Sequence, residues 1–102
     1  MAEMAIKAVQ GSTQTTNASS TPASITVDTS RTNIRIVNKG PNICFVRWSI
    51  SADGNPIAPS VADLPIAVNV PEIIDIGQAD TVSFFCPSTD TATVYTTQLI
   101  ED

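Results

Sequence analysis

Short runs of apolar and β-branched residues follow one another from Pro22 to the end of the chain, and turn-forming residues separate them. The runs are SITV (24–27), NIRIVN (33–38), NICFVRWSI (42–50), PIAVNV (65–70), EIIDI (72–76), TVSFFC (81–86) and TATVYTTQLI (91–100). The turn sequences NKGP, DGNP, GQAD and PSTD lie between them, and no segment shows a clear helical period. Together with the thirteen threonines, this pattern predicts a single all-β domain over residues 23–102, an antiparallel β-sandwich or barrel.

A different pattern precedes this domain. Residues 1–9 contain a short apolar pattern that fits a strand or one turn of a helix. Residues 10–21, QGSTQTTNASST, carry no charge and only one apolar residue, which is the composition of a flexible linker. A segment of this kind becomes ordered only when it lies against another surface. We therefore expect residues 1–22 to form an extended N-terminal arm, which lies along its own sheet or along that of a neighbouring subunit.

The stretch NIRIVNKGPNICFVRWSI, residues 33–50, predicts a β-hairpin with NKGP as its loop. In that register Ile36 pairs with Ile43, and Ile34 pairs with Phe45, so these four side chains would share the core face. A bulge would exchange the partners without making either face polar. The opposite face of the hairpin carries Arg35, Val37, Cys44, Val46 and Trp48.

This opposite face is too apolar to lie in free solvent. We expect Val46 and Trp48 to be covered either by the N-terminal arm or by another protein subunit. Arg47 has the parity of the core face and should meet a carboxylate or backbone carbonyls at the rim of the sandwich. Six candidate interface residues follow, namely Val46, Trp48 and Arg35 in the hairpin and Gln10, Thr13 and Thr16 in the arm.

Charge is distributed unevenly along the chain, whose formal net charge is −5. All five basic residues precede residue 49, where only two acids occur, whereas eight acids and no Lys or Arg follow. The basic part of one copy could thus face the acidic part of another copy, or a charged partner. The alternative is that the acids are simply solvated in loops. Five scattered cations do not make the basic patch that phosphate binding needs, so we expect no nucleic-acid partner.

No run approaches the roughly 20 apolar residues of a membrane span, and the N-terminus lacks the basic and apolar regions of a secretory signal. We therefore expect no membrane association, and assembly in a host cytoplasm. Cys44 and Cys86 both lie in apolar strand-like runs, and without an export signal the default is a pair of reduced, buried thiols. A disulfide between them is the alternative, because two cysteines alone do not define a connectivity.

Little in the chain suits catalysis. It contains no histidine, which removes the usual metal ligand and the usual general base. Glu72 and Asp75 are three residues apart on a predicted strand and so point to opposite faces, which fits solvated or turn-capping acids rather than a glycosidase pair. No glycine-rich phosphate loop and no calcium-loop spacing of acids occur. We expect a protein that is not an enzyme and that holds no metal and no other cofactor.

The succession of motifs is similar to that of a known group of proteins. IRIVNKGPNICFVRWS, a proline-containing stretch, VPEIIDIG, ADTVSFFC and TATVYTT follow one another between residues 33 and 99. This order resembles the small β-sandwich capsid decoration, or cement, proteins of tailed bacteriophages, in which a V-N-x-G-x-N-x-x-F-V-R-W hairpin often precedes a V-P-E strand and a final A-T-x-Y-x-T strand. The resemblance implies a jelly-roll-like fold, homo-oligomers that are commonly trimers, and attachment to the outside of an icosahedral shell.

A structural virion protein that binds the major capsid protein on the capsid surface, and thereby stabilises the head, is the function that this resemblance implies. A head-tail or tail-fibre component is the alternative among virion proteins. From another class the alternative is a carbohydrate-binding adhesion module. An exposed aromatic patch around Trp48 and Tyr95 would favour sugar binding, whereas burial of Trp48 against protein would favour the structural interpretation.

Overall fold

The computed structural model describes residues 6–29, 32–50, 60 and 63–101. Within these residues it contains the strands β1 (Ile6–Ala8), β2 (Gln14–Ala18), β3 (Ala23–Thr26), β4 (Asn33–Pro41), β5 (Cys44–Ser49), β6 (Leu64–Ile66), β7 (Glu72–Asp75), β8 (Thr81–Phe85) and β9 (Ala92–Glu101). The all-β prediction is confirmed. In the part of the chain that is described, no helix has the length and hydrophobicity needed to cross a bilayer. The predicted DGNP turn, residues 53–56, lies outside the described residues.

The strands form two sheets that pack face to face. In sheet A the order is β1-β9-β4-β7, and β2 also pairs with β9. In sheet B the order is β3-β8-β5-β6. All pairs of named strands are antiparallel, which confirms the predicted antiparallel sandwich.

One hydrophobic core lies between the two sheets. Alternate residues of each strand point inward, because successive side chains of a strand lie on opposite faces. The β-branched residues that dominate these positions suit a pleated, buried surface. The innermost side chains include Ile34, Ile36 and Val94 from sheet A and Val46, Val82 and Phe84 from sheet B.

The described part of the predicted arm lies along the edge of its own sheet. β1 pairs with the end of β9 through Ala8↔Leu99, and β2 pairs with its first half through Thr16↔Val94. The sequence pattern did not indicate β2, because its two buried residues are the small Thr16 and Ala18 rather than large apolar ones. Backbone pairing with β9 therefore orders a segment whose side chains alone would predict a linker.

The predicted hairpin of residues 33–50 is wrong. β4 pairs with β7 and β9 in sheet A, whereas β5 pairs with β6 and β8 in sheet B. The chain thus crosses from one sheet to the other at NKGP instead of turning back beside itself. The turn-forming residues correctly predicted that the strand ends here, but they did not indicate which sheet the next strand joins.

The side chain of Asn38 stabilises this crossing through three hydrogen bonds. Its buried side-chain Nδ2 donates to the carbonyls of Asn42 at 2.8 Å and Ile66 at 3.0 Å, and its Oδ1 accepts from the N–H of Gly40 at 2.7 Å. Gly40 has a φ of 89°, and a Cβ there would lie 3.1 Å from a methyl carbon of Val68. One amide side chain from sheet A therefore binds the corner and the edge strand of sheet B.

Because β5 joins the other sheet, its two faces are the reverse of those predicted. Ile34 and Ile36 are fully buried, as expected for the core. Ile43, however, is 48% exposed, and Phe45 is only half-buried. The core face of β5 instead contains Cys44, Val46 and Trp48, which the opposite sheet of the same chain covers.

Candidate functional site

The described residues offer broad sheet faces rather than a chemical centre. No group of three or more Cys, Asp or Glu side chains among them is arranged to hold a metal ion. Asp75 is exposed, and its Oδ1 accepts from the N–H of Gly77 at 2.8 Å, as predicted for a turn-capping acid. The surfaces available for recognition are the outer faces of sheet A and sheet B, which we call face A and face B.

Face A is built from the outward-pointing residues of four strands. Tyr95 lies at its centre, directly opposite Val37 on β4 and Thr15 on β2. Arg35 lies between Thr97 on β9 and Ile73 on β7. Two apolar side chains are well exposed here, Ile73 at 54% and Tyr95 at 38%. The face consists of Thr15, Asn17, Arg35, Val37, Lys39, Ile73, Asp75, Thr93, Tyr95 and Thr97, with Thr13 just before β2.

The cations of face A are open to a partner. Arg35 and Lys39 are both exposed, and neither has an ion pair with a carboxylate among the described residues. The acid on this face, Asp75, already accepts the hydrogen bond from Gly77. The threonines satisfy one another in part, since the hydroxyls of Thr13 and Thr97 are 2.7 Å apart. In a chain with a net charge of −5, this surface therefore presents positive charge.

Face B differs because its polar groups find partners within the chain. The hydroxyls of Ser24 and Ser83 are 2.7 Å apart, and Nε of Arg47 lies 3.7 Å from Oδ1 of Asp63. The carboxylate predicted for Arg47 is thus confirmed, although Arg47 points outward rather than toward the core. Phe45 lies directly opposite Phe85, and the two half-buried rings are flanked by the exposed Pro65.

A shallow cavity of about 230 Å³ lies at the edge of sheet B. It is lined by Val46, Arg47, Trp48, Asp63 and Leu64. β6 begins at Leu64, opposite Val46, so that no residue of β6 pairs with Trp48. Trp48 is half-buried and packs against the core, whereas Tyr95 lies on the far side of the sandwich on face A. The two residues therefore do not form a shared aromatic patch.

The six predicted interface residues do not form one surface. Arg35 and Thr13 lie on face A, where both flank Thr97. Gln10 is exposed in the turn after β1. Val46 and Thr16 are 1% and 6% exposed in the interior of the chain's own sandwich, so their side chains do not reach an outer face.

Sequence reasoning missed Tyr95, Ile73 and Lys39 as members of face A. The signal for Tyr95 was present in the alternation of TATVYTTQLI, where Tyr95 shares the parity of the polar Thr93 and Thr97. For Ile73 and Lys39 the signal was weaker, because it depends on knowing that β7 and β4 are neighbours.

Both cysteines are free and fully buried, as expected for small apolar core residues. Burial, and then the neighbouring Cys86, raises the pKa of the Cys44 thiol to about 12. Burial, and then the charge of Asp90, raises the pKa of Cys86. Both groups are therefore protonated thiols at neutral pH.

Comparison of the chain with protein-family models, with curated proteins and with solved structures finds no match.

Proposed function

We propose that the protein is a structural virion component that decorates and cements the capsid of a tailed phage, and that face A meets the major capsid protein. The observation that carries this proposal is the pair of exposed cations, Arg35 and Lys39, without a carboxylate partner in the described chain. They lie on a broad sheet surface beside the exposed Tyr95 and Ile73. Aromatic and arginine side chains are the residues that most often dominate binding energy at protein interfaces.

The strand order supports the finer assignment of the fold as a jelly roll. If β1 and β2 count as one interrupted edge strand, eight strands remain, divided between two four-stranded sheets. Neighbours in each sheet are mostly far apart in sequence, such as β9 beside β4 and β8 beside β3. Such pairing of strands that are distant in sequence is typical of two Greek keys, which viral capsid domains commonly have.

Oligomerisation belongs to the same proposal, with a homotrimer as the favoured state on the capsid surface. A decoration protein adds interface area across a boundary between capsid subunits, so that separating them also breaks the added contacts. Repetition over the shell makes modest single interfaces sufficient through avidity. In this proposal the protein performs no catalysis and binds neither nucleic acid nor a membrane.

The second candidate is a carbohydrate-binding adhesion module, which the cavity beside Trp48 favours. An indole next to the Arg47–Asp63 pair offers the apolar and charged groups that sugar recognition uses. Against it, Trp48 packs against the core, and Tyr95 lies on the other sheet. The head-tail or tail-fibre alternative shares the surfaces described for a capsid protein and differs in location on the particle.

Quantitative mass spectrometry of phage particles encoding this chain tests the proposal. A fixed ratio to the major capsid protein, retained in tailless heads, is expected for a decoration protein. A copy number that follows the tails would favour the tail component. Absence from washed particles, together with retention on a glycan array that Trp48→Ala abolishes, would favour the sugar-binding module.

A further inference from the structure

We propose that Cys44 and Cys86 are a site of intramolecular disulfide formation, at which a low-molecular-weight disulfide oxidant cross-links β5 to the end of β8. This inference does not depend on the proposed function. It concerns two thiols that are free in the structure but are placed for a bond.

The register of sheet B puts the two residues opposite each other. Phe45 pairs with Phe85, and Val46 pairs with Phe84. One step further along both antiparallel strands, Cys44 lies across from Cys86. Both side chains belong to the core between the sheets, where both are fully buried. The pair thus shares one face as well as one register position.

The hydrogen bonds show which kind of antiparallel pair this is. The N–H of Cys86 donates to the carbonyl of Ser19 at 2.9 Å, on the side of β8 away from β5. At the other end of β8, the carbonyl of Asp80 accepts from Val27 on that same side at 2.8 Å, while the N–H of Asp80 donates to the carbonyl of Ser49 on β5 at 3.1 Å. Cys44 and Cys86 are therefore a non-hydrogen-bonded pair, the kind in which opposed side chains come closest.

This geometry meets the backbone requirement of a disulfide. Opposed Cα atoms in a non-hydrogen-bonded pair are about 4.5 Å apart. Disulfides span Cα distances of roughly 4.4 to 6.8 Å, so that the bond can form without separating the strands. The effect of Cys86 on the pKa of Cys44 is consistent with two thiols in close proximity.

The reaction is a pair of thiol–disulfide exchanges. One thiol, as its thiolate, attacks the oxidant R–S–S–R, forms a mixed disulfide and releases one R–SH. The second thiolate displaces the remaining R–S group, which leaves as a second R–SH and closes the Cys44–Cys86 bond. The two protein thiols lose two electrons and two protons, which end on the two released thiols. Burial makes the first step slow, because it keeps both groups protonated.

Cys86 is the better placed of the two for the first attack. It follows the last residue of β8 and precedes the turn at Pro87–Asp90, whose residues Ser88 and Thr89 are exposed. Cys44 lies deeper, between β8 and β6. Opening of this turn is the route by which an oxidant reaches the pair.

Oxidised glutathione, added to the purified full-length chain after removal of reductant, tests the inference. One sample is treated when folded and one while it refolds from urea, so that slow access does not hide the result. The expected product is a monomer that has lost two hydrogens, has no free thiol in denaturant and keeps the circular dichroism of the reduced form. Its melting temperature should rise by roughly 10 °C, because the bond constrains the unfolded chain.

Cys44→Ser and Cys86→Ser serve as controls and should each give only glutathione adducts or one free thiol. Two free thiols in both wild-type samples, stable glutathione adducts without closure, or disulfide-linked dimers would overturn the proposal. A closed monomer that melts below the reduced protein would overturn it as well, since the bond would then be strained in the native fold.

Discussion

The two outer faces of the sandwich differ in where their polar groups find partners. On face B, Arg47 has Asp63, and Ser24 has Ser83, so that its polar groups are engaged within the chain. On face A, Arg35 and Lys39 extend from β4 without a carboxylate among the described residues. Both faces belong to antiparallel sheets of one sandwich, so the fold alone does not cause the difference.

In our proposal this contrast separates a surface that binds a partner from one that is merely solvated. A salt bridge such as Arg47–Asp63 satisfies its charges but contributes little to stability when exposed. Exposed cations that have no carboxylate partner among the described residues add little to folding, and beside exposed aromatic and aliphatic side chains they are suited to binding. We therefore expect substitutions on face A to change recognition, and on face B we expect loss of the packed Phe45–Phe85 pair, rather than of the salt bridge, to change stability.

The largest effect on stability is expected at the corner where the chain crosses from sheet A to sheet B. Asn38→Ala removes three hydrogen bonds at the corner and at β6, which takes a partner from the carbonyls of Asn42 and Ile66 and from the N–H of Gly40. Each such group costs about 1 to 3 kcal/mol, so we expect a loss of about 3 kcal/mol or more in the free energy of unfolding. Urea denaturation measures it.

Asn17→Ala is the matched control for this substitution. Asn17 is exposed on face A, and its amide oxygen accepts only a long 3.4 Å hydrogen bond from Thr93. We expect a change within about 0.5 kcal/mol. Equal effects at the two asparagines would show that Asn38 does not hold the crossing.

The next largest effect on folding stability is expected for an aromatic ring of face B, compared with an aromatic ring of face A. Phe45→Ala removes half of the cross-strand pair with Phe85 and should cost about 2 kcal/mol of folding stability. Tyr95→Ala removes a ring that is 38% exposed and should cost about 1 kcal/mol or less. A larger destabilisation by Tyr95→Ala in the same urea titration would reverse our assignment of the two faces.

Alkaline pH probes the interior between the faces. Because the folded pKa of Cys44 is raised from 9.0 to about 12, the unfolded state loses its thiol proton first as the pH rises. Below pH 9 this thiol makes a constant contribution to the free energy of unfolding. Between pH 9 and about 12 that free energy should fall by up to about 1.4 kcal/mol per pH unit. The measurement is the free energy of unfolding of the wild type minus that of Cys44→Ala at each pH. This difference cancels the contributions that the two proteins share. Parallel curves for the two proteins would contradict the raised pKa.

A smaller effect, of opposite sign, comes from the inward side of sheet A. The buried hydroxyls of Thr16 and Thr96 have no hydrogen-bond partner among the described residues. Thr96→Val replaces such a hydroxyl with a methyl group of similar size and should stabilise the fold by about 1 kcal/mol. The control is Thr97→Val on face A, which loses its hydrogen bond to Thr13 and should be neutral or slightly destabilising. A loss of stability in Thr96→Val would mean that its hydroxyl has a partner, such as a buried water.

The sequence predicted part of the strands and part of the core, and particular residues show why. Ile34 and Ile36 alternate with polar neighbours on a long strand, so their burial followed directly from the pattern. β2 could not be found, because its order comes from backbone pairing to β9, some 80 residues away. The sequence pattern also could not show which side chains of β5 face the core. That depends on the chain crossing to sheet B, where Asn38 binds Ile66, instead of forming a hairpin.

The candidate surface was predictable to the same limited extent. Arg35 was predicted because it lies on the face of the predicted hairpin that lacked a cover. Thr13 was predicted because it lies in the polar arm, which we expected to lie against another surface. Val46 and Trp48 were assigned to the surface because the hairpin left their face without a cover, and the second sheet supplies that cover. Grouping Arg35 with Ile73 and Tyr95 requires the order β7-β4-β9, which no local pattern contains.

We propose that face A, not face B, meets the partner, and two arginines on opposite faces distinguish these possibilities. Arg35→Ala and Arg47→Ala remove the same charge from the same kind of side chain. Binding of each variant to phage heads that lack the protein is measured by co-sedimentation, with urea denaturation to confirm folding. We expect Arg35→Ala to weaken binding at least about tenfold and Arg47→Ala to change it by less than about twofold. Equal losses, or a larger loss for Arg47→Ala in a folded protein, would contradict the assignment of face A.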